Sequence, residues 1–156
     1  MGLMAVYSLE YDFDRKCSLV KERDTIFSDE IAVNNAKTAY NIFNQVFFPA
    51  TKTEEYMYLM CLDAQLKVKG LFVVSQGSIN SALQNIRGIF TRALLCNATC
   101  IITAHNHPSG ECIISKQDEQ CYKKLKAACE IVEITLMDFL ILCDWEYYSF
   151  NEKGLL

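Results

Sequence analysis

The chain has 156 residues, enough for one domain with a short appendage. Apolar residues make up 51% and charged residues 22%, while Gly (6) and Pro (2) are scarce, which excludes whole-chain disorder and collagen-like or low-complexity classes. The formal net charge of −4 has the wrong sign for a broad phosphate-tracking surface, so nucleic acid is not an expected partner.

The amino terminus has no charged segment followed by an apolar run, so no secretory signal is expected. No stretch of about 20 apolar residues exists, because Glu130, Glu133, Asp138 and Asp144 interrupt the carboxy-terminal apolar run. Both features predict a cytoplasmic protein that does not enter a membrane. Eight cysteines are spread from Cys17 to Cys143 with no CxxC pair. In a reducing compartment they are expected to serve as small buried hydrophobes, not as a disulfide framework or a zinc ribbon. The spacing of four between Cys96 and Cys100 predicts neighbours on one helix face.

Residues 1–30 read as an amino-terminal extension. Residues 4–11 alternate loosely, as an edge strand does, and 15–30 are charge-rich, either irregular or a second strand. Residues 31–156 read as the main domain. Ala36, Ala39, Tyr40, Ile42, Phe43 and Val46 recur at helical spacing and predict a helix over 32–48, which Pro49 ends. Residues 56–62 and 66–74 predict a hairpin across a turn at Asp63. A loop is expected at 77–80, then a helix over 81–97 with Leu83, Ile86, Ile89, Phe90, Ala93 and Leu94 on one stripe.

Residues 99–104 form a β-branched run and predict a buried strand. His107-Pro108-Ser109-Gly110 must be a loop. A helix over 115–131 carries Ser115 as N-cap and Asp118 three residues on, the pattern of a capping box. A buried strand is expected at 134–143 and a short one at 147–150. Strands that alternate with helices around a hairpin predict an α/β layered fold, a mixed sheet flanked by helices. Lys123, Lys124 and Lys126 read as a solvated helix face, and Tyr56, Tyr58, Phe72, Phe90 and Tyr147 as core and sheet-face residues.

The only two histidines, His105 and His107, sit at i and i+2 at the end of a predicted buried strand. In extended chain they point to one side and can converge on one ion. Asp118 follows in the first turn of the next helix, where the helix dipole favours a carboxylate. Two His and one Asp make three ligands, which leaves a fourth position of tetrahedral zinc open to water. The deaminase pattern H-x-E with P-C-x-x-C and the helical H-E-x-x-H pattern are both absent from the sequence.

His105-Asn106-His107-Pro108 followed by Ser115-Lys116-Gln117-Asp118 resembles the motif of the JAMM (MPN-plus, JAB) metallopeptidases. The text of residues 103–110 and 147–154 resembles the JAB domain of the bacterial RadC family, and the likeness runs from about residue 31 to 156. The resemblance implies a JAB/MPN-type domain with one Zn2+ per chain on His105, His107 and Asp118. It also implies a general base at Glu55, with Glu54 as the competing choice, and a Ser115 that helps hold the tetrahedral intermediate. The implied function is hydrolysis of a peptide or isopeptide bond in a protein or peptide substrate. The alternative is a JAB-fold binding module, or an accessory factor in DNA repair, as RadC proteins are labelled.

Three features depart from the family pattern. Asp138-Phe139 stands where Asp-His is frequent, and Glu111 stands where Asp is frequent. The helix-hairpin-helix segment of longer members has no counterpart in residues 1–30. An edge strand in that extension could pair with a second copy of the chain, giving a homodimer.

Overall fold

Pairing among β-branched and aromatic runs organises the chain. The computed structural model describes residues 2–27, 32–77 and 85–156. In chain order its strands are β1 (Gly2–Tyr11), β2 (Cys17–Phe27), β3 (Glu55–Leu62), β4 (Val68–Gly77), β5 (Cys100–Asn106), β6 (Thr135–Leu142) and β7 (Tyr147–Ser149). The helices are α1 (Ala36–Phe47), α2 (Ile86–Leu95) and α3 (Lys116–Val132), with a single 3-10 turn at Pro49–Thr51. The described strands make one mixed seven-stranded sheet, in the order β2-β1-β4-β3-β5-β6-β7. The α/β layered architecture expected from the sequence is therefore the one observed.

Helices cover both faces of the sheet. On one face α1 buries Ala39, Ile42 and Phe43 against Tyr58, Met60, Ile102 and Leu140. On the other, α2 and α3 bury Ile89, Phe90 and Leu125 against Met57, Leu59, Ile101 and Phe139. Strands buried on both faces need no polar alternation, which explains the near-continuous apolar runs of β3 and β5. Each helix end has a local cause. Asn35 caps α1 by accepting from the Thr38 N–H at 2.8 Å, and Phe48 turns left-handed (φ 50°) before Pro49. Asn85 caps α2 by accepting from the Gly88 N–H at 2.9 Å.

The structure corrects several expectations. Residues 4–11 lie in β1, which is not an edge: β2 flanks it on one side and β4 on the other, so β2 is the outer strand. The expected helix over 81–97 is seen from Ile86; its start at 81–84, and residues 78–80 of the expected loop, lie outside the described residues. Cys96 and Cys100 do not share a helix face. The helix closes at Leu95, Asn97 takes a left-handed conformation (φ 51°), and Cys100 opens β5, so the two thiols enter different cores.

β5 and β6 run parallel, and α3 is the crossover between them. The start of α3 therefore returns to the carboxyl end of β5. In α/β sheets the carboxyl ends of parallel strands are where ligand-binding groups gather.

Candidate metal centre

His105 is the sixth residue of β5 and is fully buried. The strand direction carries on past Asn106, since the His107 N–H donates to the Leu142 carbonyl at 3.1 Å. The two imidazoles fall on one side, as the i, i+2 spacing predicts, with ring centroids 4.9 Å apart. Asp118 reaches them from the third position of α3. The capping box expected there is complete: the Ser115 hydroxyl accepts from the Asp118 N–H at 3.1 Å, and Asp118 Oδ2 accepts from the Ser115 N–H at 2.6 Å.

The ligand atoms of His105, His107 and Asp118 all lie within 4.8 Å of one another. His105 Nε2 is 2.9 Å from Asp118 Oδ1, and His107 Nε2 is 3.5 Å from Asp118 Oδ2. The first pair is close enough for a hydrogen bond, yet His105 Nε2 and Asp118 Oδ1 are buried and neither makes one. Two imidazole nitrogens and a carboxylate that converge in this way, with His105 Nε2 and Asp118 Oδ1 buried and unsatisfied, fit a borderline-soft divalent cation.

Local contacts fix each donor. His107 Nδ1 lies 3.0 Å from the Glu111 carbonyl, which can only accept, so the proton sits on Nδ1 and the lone pair on Nε2. Burial alone would lower the His107 pKa, but Asp118 and the Glu111 carbonyl outweigh it and leave it raised. Burial alone would raise that of Asp118; the two imidazoles and the Ser115 N–H hold it well below the usual carboxylate range. Asp118 is thus an anion, as a metal ligand must be.

Glu55, at the start of β3, is buried, and its Oε2 has no hydrogen-bond partner. Burial raises its pKa, the charges of His105 and His107 oppose the rise, and Asp118 adds to it; the result is raised. The charges of the cluster thus act on this carboxylate. Glu54 is exposed and accepts from Gln76 Nε2 at 2.8 Å. The Ser115 hydroxyl donates to Asp118 Oδ2 at 2.7 Å, so its observed work is to hold that ligand.

Three further features shape the centre, and the sequence placed none of them in these contacts. Asn106, between the histidines, accepts from the Tyr56 N–H at 2.7 Å and donates to the Glu54 carbonyl at 2.9 Å, which clamps the backbone on both sides of Glu55. Its place inside the His-Asn-His triplet was the available signal. Phe139 meets the His105 ring edge-on at 5.7 Å, and His105 Nδ1 is buried without a partner. The departure noted at Phe139 thus lies directly against a ligand.

The third is a disulfide. Cys112 and Cys143 are bonded, with Cα atoms 5.6 Å apart, which corrects the expectation that all eight cysteines are thiols. The loop after His107 folds back onto the end of β6, where the Asp144 N–H donates to the Gly110 carbonyl at 3.4 Å, and so brings the two within bonding span. Of the others, Cys61, Cys96, Cys100, Cys121 and Cys129 are buried thiols, as expected, and Cys17 is exposed.

The model of the RadC-like JAB domain family matches residues 33–155. A UPF0758 protein of Haemophilus ducreyi is 41% identical over 99 residues, covering 64% of this chain and 44% of its own length. Those of Flavobacterium johnsoniae and Aquifex aeolicus are each 32% identical, over 123 and 126 residues, covering 79% and 81% of this chain and 53% of their own. The chain spans about half the length of the curated relatives it matches. With the family match running through both histidines, Ser115 and Asp118, the chain belongs to the RadC-like JAB domain family.

Proposed function

We propose that this domain is a zinc-dependent hydrolase of JAMM type that cleaves a peptide or isopeptide amide bond. The observation that carries the reading is the convergence of donor atoms of His105, His107 and Asp118 within 4.8 Å, with His105 Nε2 and Asp118 Oδ1 buried and unsatisfied and Glu55 Oε2 buried without a partner as well. When bound there, zinc supplies Lewis acidity, lowering the pKa of water toward ~7 and polarising a carbonyl.

The chain's own residues do the rest. Glu55 Oε2 is unpaired and its pKa is raised, which suits a group that takes a proton from water and returns it to the leaving amine. Asn106 holds that glutamate's backbone in place. Ser115 would have to turn its hydroxyl from Asp118 Oδ2 to meet a developing oxyanion; its N-cap role would survive, because the oxygen still accepts from the Asp118 N–H.

One observation favours a second reading, a JAB-fold binding module or a factor linked to DNA repair that cleaves nothing. Metal-ligating histidines usually donate their second N–H to a partner, and His105 Nδ1 is buried without one, with Phe139 packed against the ring. The experiment is hydrolysis of a panel of quenched peptides and isopeptide conjugates by the zinc-loaded protein and its Glu55→Gln variant. The hydrolase reading expects a rate loss of about 10²-fold or more in the variant with zinc content unchanged. No hydrolysis by the zinc-loaded parent across the panel would leave the binding module.

A further inference from the structure

The two edges of the sheet are unlike. β7 is three residues long, whereas β2 is eleven and has no strand beyond it among the described residues. Both β2 and β1 precede the span that matches the family. A long open edge is a template for another strand. Charged residues usually blunt such an edge, and β2 carries Lys21-Glu22-Arg23-Asp24 at its centre.

Faces decide which partner strand fits. Two copies joined edge to edge in antiparallel fashion are related by a two-fold axis perpendicular to the sheet, which leaves every side chain on its own face. Residues opposed across the junction must also share a face. In a regular strand those conditions permit only registers in which residues of like parity meet. β2 is not regular. Val6 of β1 faces Arg23 and Tyr7 faces Lys21, so Glu22 is the extra residue of a bulge.

Val6 lies in the core under α1, while Tyr7 packs with Leu19 on the opposite face. Arg23 accordingly sits on the α1 side, where its guanidinium donates to the Val46 carbonyl at 3.1 Å, and Glu22 lines the same cleft beside Val46 and Phe47. Lys21 sits on the other side. The alternation is thus inverted across the bulge. The register centred between Glu22 and Arg23 keeps every opposed pair from residue 19 to residue 26 on one face.

We propose that β2 is the contact of a homodimer in which two copies pair antiparallel about a two-fold axis between Glu22 and Arg23, extending the sheet across both chains. This register sets Glu22 against Arg23 of the second copy and Lys21 against its Asp24. It also sets Val20 against Thr25 and Leu19 against Ile26, so the half-exposed Val20 (40%) and exposed Ile26 (58%) gain apolar or neutral neighbours. Slipping one residue either way puts Lys21 against Arg23 or Glu22 against Asp24. The same charges that would repel a copy in those registers attract it in this one.

The experiment is sedimentation equilibrium and native mass measurement on the 156-residue chain, with Lys21→Glu and Asp24→Lys variants. The parent is expected at twice its 17.8 kDa mass. Each single variant opposes like charges and is expected to dissociate at least tenfold more readily. Within one chain Lys21 Nζ also pairs with Asp24 at 3.1 Å, and each variant breaks that contact too. Mixing the two variants separates the effects: opposed pairs are restored only between unlike chains, while the internal pair stays broken in both. A heterodimer from the mixture supports the pairing. A monomeric parent, singles that dimerise like the parent, or a mixture that stays monomeric each overturns it.

Discussion

Asn106 shows how much of the centre depends on a residue that touches no ion. It spends both ends of its amide on the backbone of Glu54 and Tyr56. Asn106→Ala leaves a half-buried N–H and carbonyl unpaired and is expected to cost about 2 kcal/mol in urea unfolding. Asn106→Asp keeps the acceptor but turns a carboxylate oxygen toward the Glu54 carbonyl, and is expected to be no more stable than the alanine variant. An alanine variant as stable as the parent would show that the clamp is not needed. His105, His107, Ser115 and Asp118 were legible in the sequence because strand periodicity and a helix cap are local properties. Glu55 was legible only through the family resemblance, since fifty residues separate it from His105 and pairing of β3 with β5 brings them together. Asn106 and Phe139 act across strands: the sequence marked their positions, inside the His-Asn-His triplet and at the departure from Asp-His, but not those contacts.

At the scale of elements, the segment from His107 to Ser115 leads from one candidate ligand to the helix that carries another, and has no regular structure of its own. Gly110 turns it with φ 78°, and a Cβ there would lie 2.5 Å from an Asp144 carboxylate oxygen. The Cys112–Cys143 bond then ties the segment to the end of β6. A separation of 31 residues corresponds to about 3.7 kcal/mol of constraint on the unfolded chain. The Cys112→Ser/Cys143→Ser variant is therefore expected to unfold about 3.7 kcal/mol more easily than the oxidised parent, and to match the parent once dithiol reductant is present. A parent whose stability ignores the reductant would contradict the tie. Cysteine counting could not reveal this pair, because the partners meet only when the loop folds back over the carboxyl end of β6. The failed Cys96–Cys100 expectation has a related cause: a spacing of four means one helix face only while the helix continues, and Asn97 ends it.

Over the whole molecule, the same layering that hides apolar runs on both faces of β3 and β5 also buries the polar centre. Helices on both sides close the sheet off, and the parallel β5–β6 pair sends the start of α3 back over the strand ends. Fold class followed from the order of strands and helices, but strand order did not: sequence alone set residues 4–11 at an edge, whereas the parallel contact of Val6 with Leu71 carries β1 inward and leaves β2 outside. Among the described residues no helix is long and apolar enough to cross a membrane. The centre and its enclosure stand or fall on one quantity, the metal held per chain after incubation with zinc near neutral pH and dialysis. Elemental analysis is expected to find about one zinc per parent chain and little in His107→Ala or Asp118→Ala. A parent that retains no zinc would contradict the account, because its buried, unsatisfied donors would then have no ion to face.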